Sequence, residues 1–453
     1  MFKFKKKNKI ANVRAYEVLD SRGFPTIACK VTLNNGVVGK AMVPSGASTG
    51  EREALELCDG DKKRYGGKGT LKAVSNVNNI IALALIGKDP TKQKEIDEIM
   101  LKLDGTKSKT KLGANAILSV SLAVAHAAAN SLKKPLYQYI RQNILEDNNE
   151  IYEMPVPMLN VINGGAHADN TLDFQEFMFV PVSAKSIHQA CQMASECFHS
   201  LQKILKDRGD STGKGDEGGF APNLKTAEEA LTLMSAAVKA AGYHVGINKD
   251  VAFALDVAAS ELYDPNTKKY VFKKALDAKV WDHQKAVKTT NQMINYLKEL
   301  TTKYPIISIE DGLSENDWEG FKKLKNEIGN KVQIVSDDVF CTNPRILEQG
   351  IEQNIANAIL IKLNQIGSLS ETIETILIAK KAGWNNVISH RSGETEDATI
   401  ADLAVALNAG QIKTGSMSRS ERICKYNRLM EIEDELGLQA KTLGLTVFNR
   451  IFK

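Results

Sequence analysis

The sequence predicts an α/β fold in two parts, an N-terminal α+β domain over residues 1–147 and a C-terminal α/β barrel over residues 148–453. Three observations support this prediction. Short β-branched runs open the chain, and helical patterns follow them. Farther on, short apolar runs alternate with amphipathic stretches at a spacing of about 25 residues. A polar or charged residue lies at the end of each apolar run, as expected of strands that lead to one mouth of a barrel.

The N-terminal domain is predicted to begin with a three-stranded antiparallel meander. Its strand candidates are residues 13–19, 26–33 and 37–43, and residues typical of turns separate them. Between residues 71 and 142 apolar residues recur at helical spacing. Strands followed by helices complete an α+β domain.

The C-terminal domain begins after a polar segment at residues 146–150. Its strand candidates are residues 251–255, 306–309, 332–335, 358–361, 386–389 and 412. The polar residues that follow them are Asp256, Glu310, Asp337, Lys362, His390 and Lys413. Most intervals in this series match one βα unit, while the first has room for two units or for one with insertions. In a barrel these side chains converge on one mouth, where barrel active sites lie.

Carboxylates and lysines at these strand ends predict a charged catalytic centre. Asp256, Glu310 and Asp337 together suit a hard cation such as Mg²⁺, although any one of them alone could equally be a helix cap or a surface residue. Lys362 and Lys413 end two other strands. Burial can lower the pKa of such a lysine enough for it to act as a base, whereas most lysines are solvated and inert.

Three loops carry further candidate residues. The segment His390-Arg391-Ser392-Gly393 offers a guanidinium, a hydroxyl and backbone N–H groups, which suit a phosphate, and an Arg salt bridge is the alternative. Residues 213–218 match G-x-G-x-x-G, but a helical stretch precedes them and Pro222 follows, so we interpret them as a loop that presents carboxylates. Residues 44–50 form either an ordinary loop or a mobile lid.

Composition excludes several classes of function. Hydrophobic residues make up 43% and charged residues 25% of the chain, as in globular proteins. The net charge of +5 is spread along the chain, so no nucleic-acid partner is expected. The apolar stretch at residues 116–129 is too short for a membrane span and predicts a buried helix. The N-terminal basic run lacks the apolar core of a signal peptide, and the six cysteines form no CxxC pair, which indicates a cytoplasmic protein.

Eight motifs, in order, resemble those of enolases. They are SGASTG at 45–50, NGGAHA at 163–168, QEF at 175–177, GDEGG at 215–219, SIED at 308–311, KLNQIG at 362–367, SHRSGE at 389–394 and QIKTG at 411–415. The resemblance covers about residues 13–435. It implies a (β/α)8-type barrel with an N-terminal α+β capping domain. It also implies Mg²⁺-dependent, reversible dehydration of 2-phospho-D-glycerate to phosphoenolpyruvate.

The resemblance implies a role for each candidate residue. Lys362 removes the proton from carbon 2, and Glu217 protonates the departing 3-hydroxyl with help from Glu176. The residues implied for catalysis are Glu217, Lys362, Glu176, Lys413 and His167. Those implied to contact the substrate are Gln175, Arg391, Ser392, His390, Lys413 and Ser48. Two Mg²⁺ ions are implied, the second bound with the substrate, and their ligands are Asp256, Glu310, Asp337 and, from the lid, Ser48.

Two alternatives stay open. A sugar-acid dehydratase or a racemase of the same superfamily would lack the Ser48 lid and the pair of Glu176 and Glu217. A cell-surface or secreted form could bind a host protein of the plasminogen type through Lys453, and this role could coexist with catalysis. The resemblance further implies a homo-oligomer, either a dimer or an octamer of dimers, with no membrane span.

Overall fold

A three-stranded antiparallel sheet opens the chain in the computed structural model, which describes residues 8–47 and 50–452. Its strands are β1 (Ile10–Leu19), β2 (Pro25–Leu33) and β3 (Val38–Met42). They pair in chain order, so the predicted meander is confirmed.

Helices follow this sheet, as the helical spacing predicts. They are α1 (Leu71–Asn76), α2 (Ala82–Leu85), α3 (Gln93–Asp104), α4 (Ala114–Ser131) and α5 (Leu136–Tyr139). Single π-helical turns at Val77–Ile81 and Ile140–Ile144 follow α1 and α5. Helix α4 is buried along nearly its whole length and packs on β2 and β3, which confirms the predicted buried helix.

The contact between β3 and α4 depends on Gly39. A Cβ at this position would lie 2.2 Å from the backbone N of Ala127 and 2.3 Å from the carbonyl O of Ala123. Only a residue without a side chain allows the strand to approach the helix backbone this closely.

The second part of the chain forms a closed eight-stranded barrel surrounded by helices. Its first elements are β4 (Tyr152–Met154), β5 (Val156–Asn163), β6 (Glu176–Val180), α6 (Ile187–Arg208), α7 (Ala227–Ala240), β7 (Ala252–Asp256), β8 (Tyr263–Asp264), β9 (Lys269–Val271), α8 (Lys273–Asp277), α9 (His283–Ala286), β10 (Val287–Lys288) and α10 (Thr290–Lys303). The later ones are β11 (Ile306–Glu310), α11 (Trp318–Ile328), β12 (Gln333–Ser336), α12 (Pro344–Glu352), β13 (Ala358–Ile361), α13 (Leu363–Ile366), α14 (Leu369–Lys381), β14 (Asn385–Ser389), α15 (Thr399–Ala406), β15 (Gly410–Lys413), α16 (Ser420–Leu436), β16 (Ala440–Thr442) and α17 (Thr446–Asn449). The barrel order is β11-β12-β13-β14-β15-β5-β6-β7, so the predicted barrel is confirmed.

Strand β6 departs from the predicted parallel arrangement. It runs antiparallel to both β5 and β7, whereas the other neighbouring strands of the barrel are parallel. The described connection between β5 and β6 contains only a 3₁₀ turn, Gly165–His167, and an antiparallel pair needs no helical crossover. Because β6 is reversed, its first residue, Glu176, lies beside Asp256 at the last position of β7.

The long first interval in the strand-end series is a single βα unit with insertions. Strands β7 and β11 pair directly with each other. The chain between them adds a small antiparallel sheet in the order β10-β9-β8, together with α8 and α9. The structure therefore decides between the two arrangements that the sequence left open.

Two predictions concern segments outside the barrel. The predicted domain boundary near residue 148 falls between Ile140–Ile144 and β4, and its position stays a prediction. Within the described ranges, no single helix is long and apolar enough to cross a bilayer. Ala114–Ser131 and Leu136–Ile144 satisfy the length and composition only as a pair, and the pair is bent by 94°. Lys453 lies outside the described residues.

Substituting Ala for Gly39 should separate β3 from α4. The added Cβ would meet backbone atoms, which cannot rotate away, so we expect the free energy of unfolding to fall by about 3 kcal/mol, at the upper end of the range for overpacked sites. Urea denaturation measures this loss. The exposed Lys40 on the same strand supplies the control, since Lys40→Ala should change stability by less than about 0.5 kcal/mol. Unchanged stability of Gly39→Ala would contradict the close contact.

Candidate active site

The predicted site residues surround one polar cavity at the mouth of the barrel. The predicted residues that line it are His167, Gln175, Glu176, Glu217, Asp256, Asp337, Lys362, His390, Arg391, Ser392 and Lys413. Glu310 is buried beside this set and contacts Lys413. Ser48 lies outside the described residues. The strand-end series therefore converges in the fold as the barrel pattern predicts.

Lys413 lies among three buried carboxylates. Its Nζ atom is 2.9 Å from Asp256 Oδ2, 2.8 Å from Glu310 Oε1 and 3.2 Å from Glu176 Oε1. Burial acts to lower the pKa of Lys413, but the three carboxylates raise it well above its usual value. Burial and the Asp256 carboxylate raise the pKa of Glu310 in turn. Lys413 is therefore a fixed cation, and the expected lowering of its pKa is wrong.

Lys362 forms an ion pair with Asp337. Its Nζ atom lies 2.5 Å from Asp337 Oδ2, and Gln365 Nε2 donates to the other carboxylate oxygen at 2.8 Å. Burial acts to lower the pKa of Lys362, as the sequence argument expects, but the Asp337 carboxylate outweighs burial and raises it above the usual value. The prediction of a lowered pKa is thus wrong for Lys362 as well, because the sequence argument did not include the Asp337 carboxylate.

Acidic oxygens gather beside the ends of β11 and β12. Asp311, Asp337 and Asp338 each offer one carboxylate oxygen, and these atoms lie within 4.8 Å of one another. The Asp311 carboxylate also accepts the backbone N–H groups of Asp337 and Asp338, at 2.9 and 3.0 Å. Burial and the Asp337 carboxylate raise the pKa of Asp338 to about 8. An oxygen-rich, acidic group of this kind suits a hard divalent cation.

Asp311 and Asp338 were not singled out from the sequence. Each directly follows a predicted metal ligand, Glu310 or Asp337, so paired acids at a strand end were the signal that could have found them. In the structure, the three predicted Mg²⁺ ligands contact two different lysines. Asp256 and Glu310 both contact Lys413, whereas Asp337 contacts Lys362.

Glu217 reaches the cavity from the glycine-rich loop. Its Oε1 atom lies 3.4 Å from His167 Nδ1 and 3.7 Å from His390 Nε2, and Asn160 Nδ2 donates to Oε2 at 2.7 Å. Burial acts to raise the pKa of Glu217, but His167, His390 and Lys413 lower it well below its usual value. The loop leads into no helix before α7, so it presents a carboxylate, as the sequence predicts.

Glu176 has the opposite electrostatic environment. Burial and the Glu217 carboxylate raise its pKa well above the usual value, even though Lys413 acts to lower it. Two carboxylates that interact this strongly lose their protons in two separate steps, and the opposite shifts favour the last proton on Glu176. The cavity therefore contains a proton donor and a carboxylate side by side.

The N-terminal part of the chain covers one side of the cavity. Arg391 forms a two-point ion pair with Glu53, with Nη1 3.0 Å from Oε2 and Nη2 3.2 Å from Oε1. The backbone N–H of Ala47 donates to Ser392 Oγ at 2.8 Å, and Ser45 pairs with Gly393 through two backbone hydrogen bonds. The salt bridge considered as an alternative for Arg391 is therefore present. It does not remove Arg391 from the cavity wall.

Several buried polar atoms at the cavity have no hydrogen-bond partner among the described residues. They are Gln175 Oε1, Glu176 Oε2, His167 Nε2 and His390 Nε2. A buried polar atom without a partner costs about 1–3 kcal/mol, so the concentration of such atoms at one cavity indicates a polar ligand.

Comparison with known proteins identifies the family. Residues 10–140 match the family model of the enolase N-terminal domain, and residues 151–451 match that of the enolase C-terminal TIM barrel domain. The chain belongs to the enolase family. Curated enolases from Malacoplasma penetrans and Mycoplasma pneumoniae are 64% and 63% identical to it, over 99% and 98% of this chain and 100% and 97% of theirs. The enolase from Mycoplasma genitalium is 61% identical over 98% of this chain and 96% of its own length.

Family membership settles the class of reaction. The protein is a lyase of the phosphopyruvate hydratase type, and the resemblance found in its motifs is confirmed. The alternative of a sugar-acid dehydratase or a racemase is therefore set aside. The substrate of such an enzyme is a small molecule, in keeping with an enclosed, polar cavity.

Removing the charge of Lys413 should expose the repulsion among its carboxylates. Lys413→Met leaves Glu176, Asp256 and Glu310 buried without their cation, so at pH 8 we expect the protein to lose about 3–5 kcal/mol of unfolding free energy. Carboxyl groups with raised pKa values take up protons in the folded state first. The loss should therefore shrink as the pH falls from 8 toward the unfolded carboxyl pKa of about 4.3.

Urea denaturation at a series of pH values, without divalent cations, measures this effect. The exposed Lys102 supplies the control, since Lys102→Met should change stability little at any pH. A loss that stays constant with pH would show that packing around Lys413, and not its charge, accounts for the destabilisation.

Proposed function

We propose that the protein catalyses the Mg²⁺-dependent, reversible dehydration of 2-phospho-D-glycerate to phosphoenolpyruvate, with Lys362 as the base and Glu217 and Glu176 as the acid. The observation that carries this proposal is the arrangement of the cavity. Lys362 and the pair of glutamates line the same cavity and belong to different elements, β13 with its following turn on one side and β6 with the glycine-rich loop on the other. A substrate between them would meet a base and an acid at once.

Removal of the carbon 2 proton requires Lys362 in its neutral form. Burial, Arg391 and Lys413 all act to lower the pKa of Lys362, and the Asp337 carboxylate is the main opposing influence. Any ligand that shares the charge of Asp337 therefore shifts Lys362 toward the neutral, basic form. The 2.5 Å ion pair between Lys362 and Asp337 would therefore control how readily Lys362 loses its proton.

Two Mg²⁺ ions would offset the negative charge that develops on the substrate carboxylate when the carbon 2 proton leaves. We assign the first ion to Asp256, Glu310 and Asp337, with Asp311 and Asp338 adding acidic oxygens beside them. The assignment of Ser48 to the second ion rests on the motif at residues 45–50. The acidic donor set and the polar atoms without partners fit such ions.

Departure of the 3-hydroxyl requires a proton, which the pair of Glu176 and Glu217 would supply. The pair retains one proton because burial and the second carboxylate raise the pKa of Glu176. Lys413 would contribute a fixed positive charge toward the substrate carboxylate. His167, Gln175, His390, Arg391 and Ser392 would hold the carboxylate or the phosphate. Gln175 is itself oriented by a hydrogen bond to Asp256 Oδ2 at 3.1 Å.

The cellular setting stays a prediction. The expectation of a cytoplasmic protein rests on the cysteine pattern and the N-terminal sequence, whereas that of a homo-oligomer, either a dimer or an octamer of dimers, rests on the resemblance. Binding of a plasminogen-type host protein was suggested by Lys453, which lies outside the described residues. The described residues add nothing that favours this second role.

Lys362→Ala should abolish the reaction at its first step. A positioned base contributes about 10²–10⁴-fold, so we expect turnover to fall by a factor in that range. Formation of phosphoenolpyruvate is followed by ultraviolet absorbance, and exchange of the carbon 2 proton with deuterated solvent is followed by NMR. Both should be lost in Lys362→Ala, whereas Glu217→Gln should retain exchange and lose dehydration.

The matched control is Lys381→Ala, an exposed lysine on α14, which should leave both rates unchanged. Near-normal turnover by Lys362→Ala would overturn the assignment of the base. Absence of phosphoenolpyruvate formation by the unaltered protein would overturn the proposed reaction itself.

Chelation of divalent cations should stop turnover, and added Mg²⁺ should restore it. Because Mg²⁺ would bind only the folded state, the temperature of unfolding should also rise as the Mg²⁺ concentration increases. Differential scanning calorimetry measures that rise without any substrate. Asp337→Asn should weaken it, while Asp264→Asn at the end of β8 should not. A temperature of unfolding that does not respond to Mg²⁺ in the unaltered protein would contradict the metal assignment.

A further inference from the structure

Arg422 contacts two loops of the cavity, the His390–Ser392 segment and the loop that carries Glu217. Neither the motifs nor the proposed roles include this arginine. It lies in the first turn of α16 and is fully buried. Its Nη1 atom is 2.6 Å from His390 Nδ1 and 2.5 Å from the carbonyl O of Arg391. Its Nη2 atom donates to the carbonyl O of Ser392 at 2.7 Å and to that of Asp216 at 3.1 Å. One guanidinium thus joins the His390 segment to the loop that carries Glu217.

The path of the Arg422 side chain depends on Gly415. This glycine has a φ of +85°, and a Cβ on it would lie 2.8 Å from Arg422 Cδ and 2.9 Å from Cγ. The residue that follows it, Ser416, donates its backbone N–H to the carbonyl O of Glu217 at 3.0 Å. The chain after β15 therefore makes room for the arginine and also fixes the loop that it contacts.

The contact with His390 determines where the imidazole carries its proton. An arginine guanidinium is always charged and can only donate hydrogen bonds. The His390 Nδ1 atom must therefore accept, and the proton of the neutral ring must lie on Nε2. Burial and the charge of Arg422 lower the pKa of His390 well below its usual value, which favours the neutral ring.

The Nε2 atom of His390 faces the catalytic cavity. It lies 3.7 Å from Glu217 Oε1 and has no hydrogen-bond partner among the described residues. A proton on Nε2 directs a donor toward the Glu217 carboxylate and toward any substrate oxygen that lies beside it in the cavity. A proton on Nδ1 would instead turn an Nε2 lone pair toward that carboxylate, and two acceptors would face each other.

We propose that Arg422 is a positioning residue that holds His390 as the neutral Nε2–H tautomer and aims this N–H donor into the cavity beside Glu217. The proposal rests on the proposed function for the part that concerns turnover. The tautomer itself is a property of the protein without substrate or metal. Within the described part of the chain, Arg422 contacts none of the proposed metal ligands, so we expect it to act through His390 and the three carbonyl groups.

The first test is the tautomer of His390 in the unaltered protein. Long-range ¹H–¹⁵N NMR correlations distinguish Nδ1–H, Nε2–H and doubly protonated rings, and His390→Gln identifies the resonances. We expect a single Nε2–H form that does not titrate between about pH 5.5 and 8, whereas an ordinary histidine titrates near pH 6.5. An Nδ1–H form, or a ring that protonates in this range, would overturn the proposal.

The second test removes the guanidinium. In Arg422→Gln we expect a mixture of tautomers, a ring that titrates nearer the ordinary pKa, and a fall in kcat of about 10²-fold, as for a small misplacement of a reacting group. KM should change much less than kcat. Arg419→Gln is the matched control, because Arg419 contacts the same glycine-rich loop at Gly215 O without touching His390. It should keep the wild-type tautomer and rate.

These outcomes separate the inference from the proposed function. Wild-type rate and tautomer in Arg422→Gln would overturn the inference and leave the dehydration mechanism intact. An unaltered protein that forms no phosphoenolpyruvate would overturn the mechanism, while the NMR result would still decide the tautomer. If Arg422→Gln does not fold, the NMR spectrum of the unaltered protein still decides whether His390 is the Nε2–H tautomer.

Discussion

The site depends on one electrostatic constraint, the burial of several carboxylates at a single mouth of the barrel. Lys413 offsets three of them within 3.2 Å, and Lys362 pairs with Asp337. Buried like charges are costly unless a cation and hydrogen bonds accompany them, so the fold needs these lysines apart from the roles proposed for them in the reaction. The same cluster offers the carboxylate oxygens and the positive charge on which the proposed mechanism relies.

The N-terminal part of the chain completes this environment. Glu53 bonds Arg391 at two points, and its Oε1 atom also accepts hydrogen bonds from Gly50 N–H at 3.2 Å and from Gln365 Nε2 at 3.3 Å. Gln365 in turn donates to Asp337. A continuous set of hydrogen bonds therefore joins the segment after the lid sequence to both the guanidinium and the carboxylate of the cavity. Changes at that segment would reach Arg391 and Asp337 through these contacts.

The two glutamates proposed as the acid differ in their electrostatic environment. Glu176 and Glu217 are both buried, yet burial and the Glu217 carboxylate raise the pKa of Glu176, whereas His167, Lys413 and Arg422 help to lower that of Glu217. The neutral Nε2–H form inferred for His390 belongs to the same side of the cavity. It adds a hydrogen-bond donor near Glu217 without adding a second charge.

Local sequence patterns were enough to predict the barrel, six of its strands and the convergence of the strand-end residues, because strand periodicity and strand ends depend on neighbouring residues. The motifs were enough to predict the family. The antiparallel direction of β6, which brings Glu176 to the mouth, and the contact of Arg422 with His390 are visible only in the folded chain. The tertiary structure also reversed the expected pKa shifts of Lys362 and Lys413. These features depend on distances between groups far apart in the chain, such as Lys413 and Asp256, and no local pattern contains those distances.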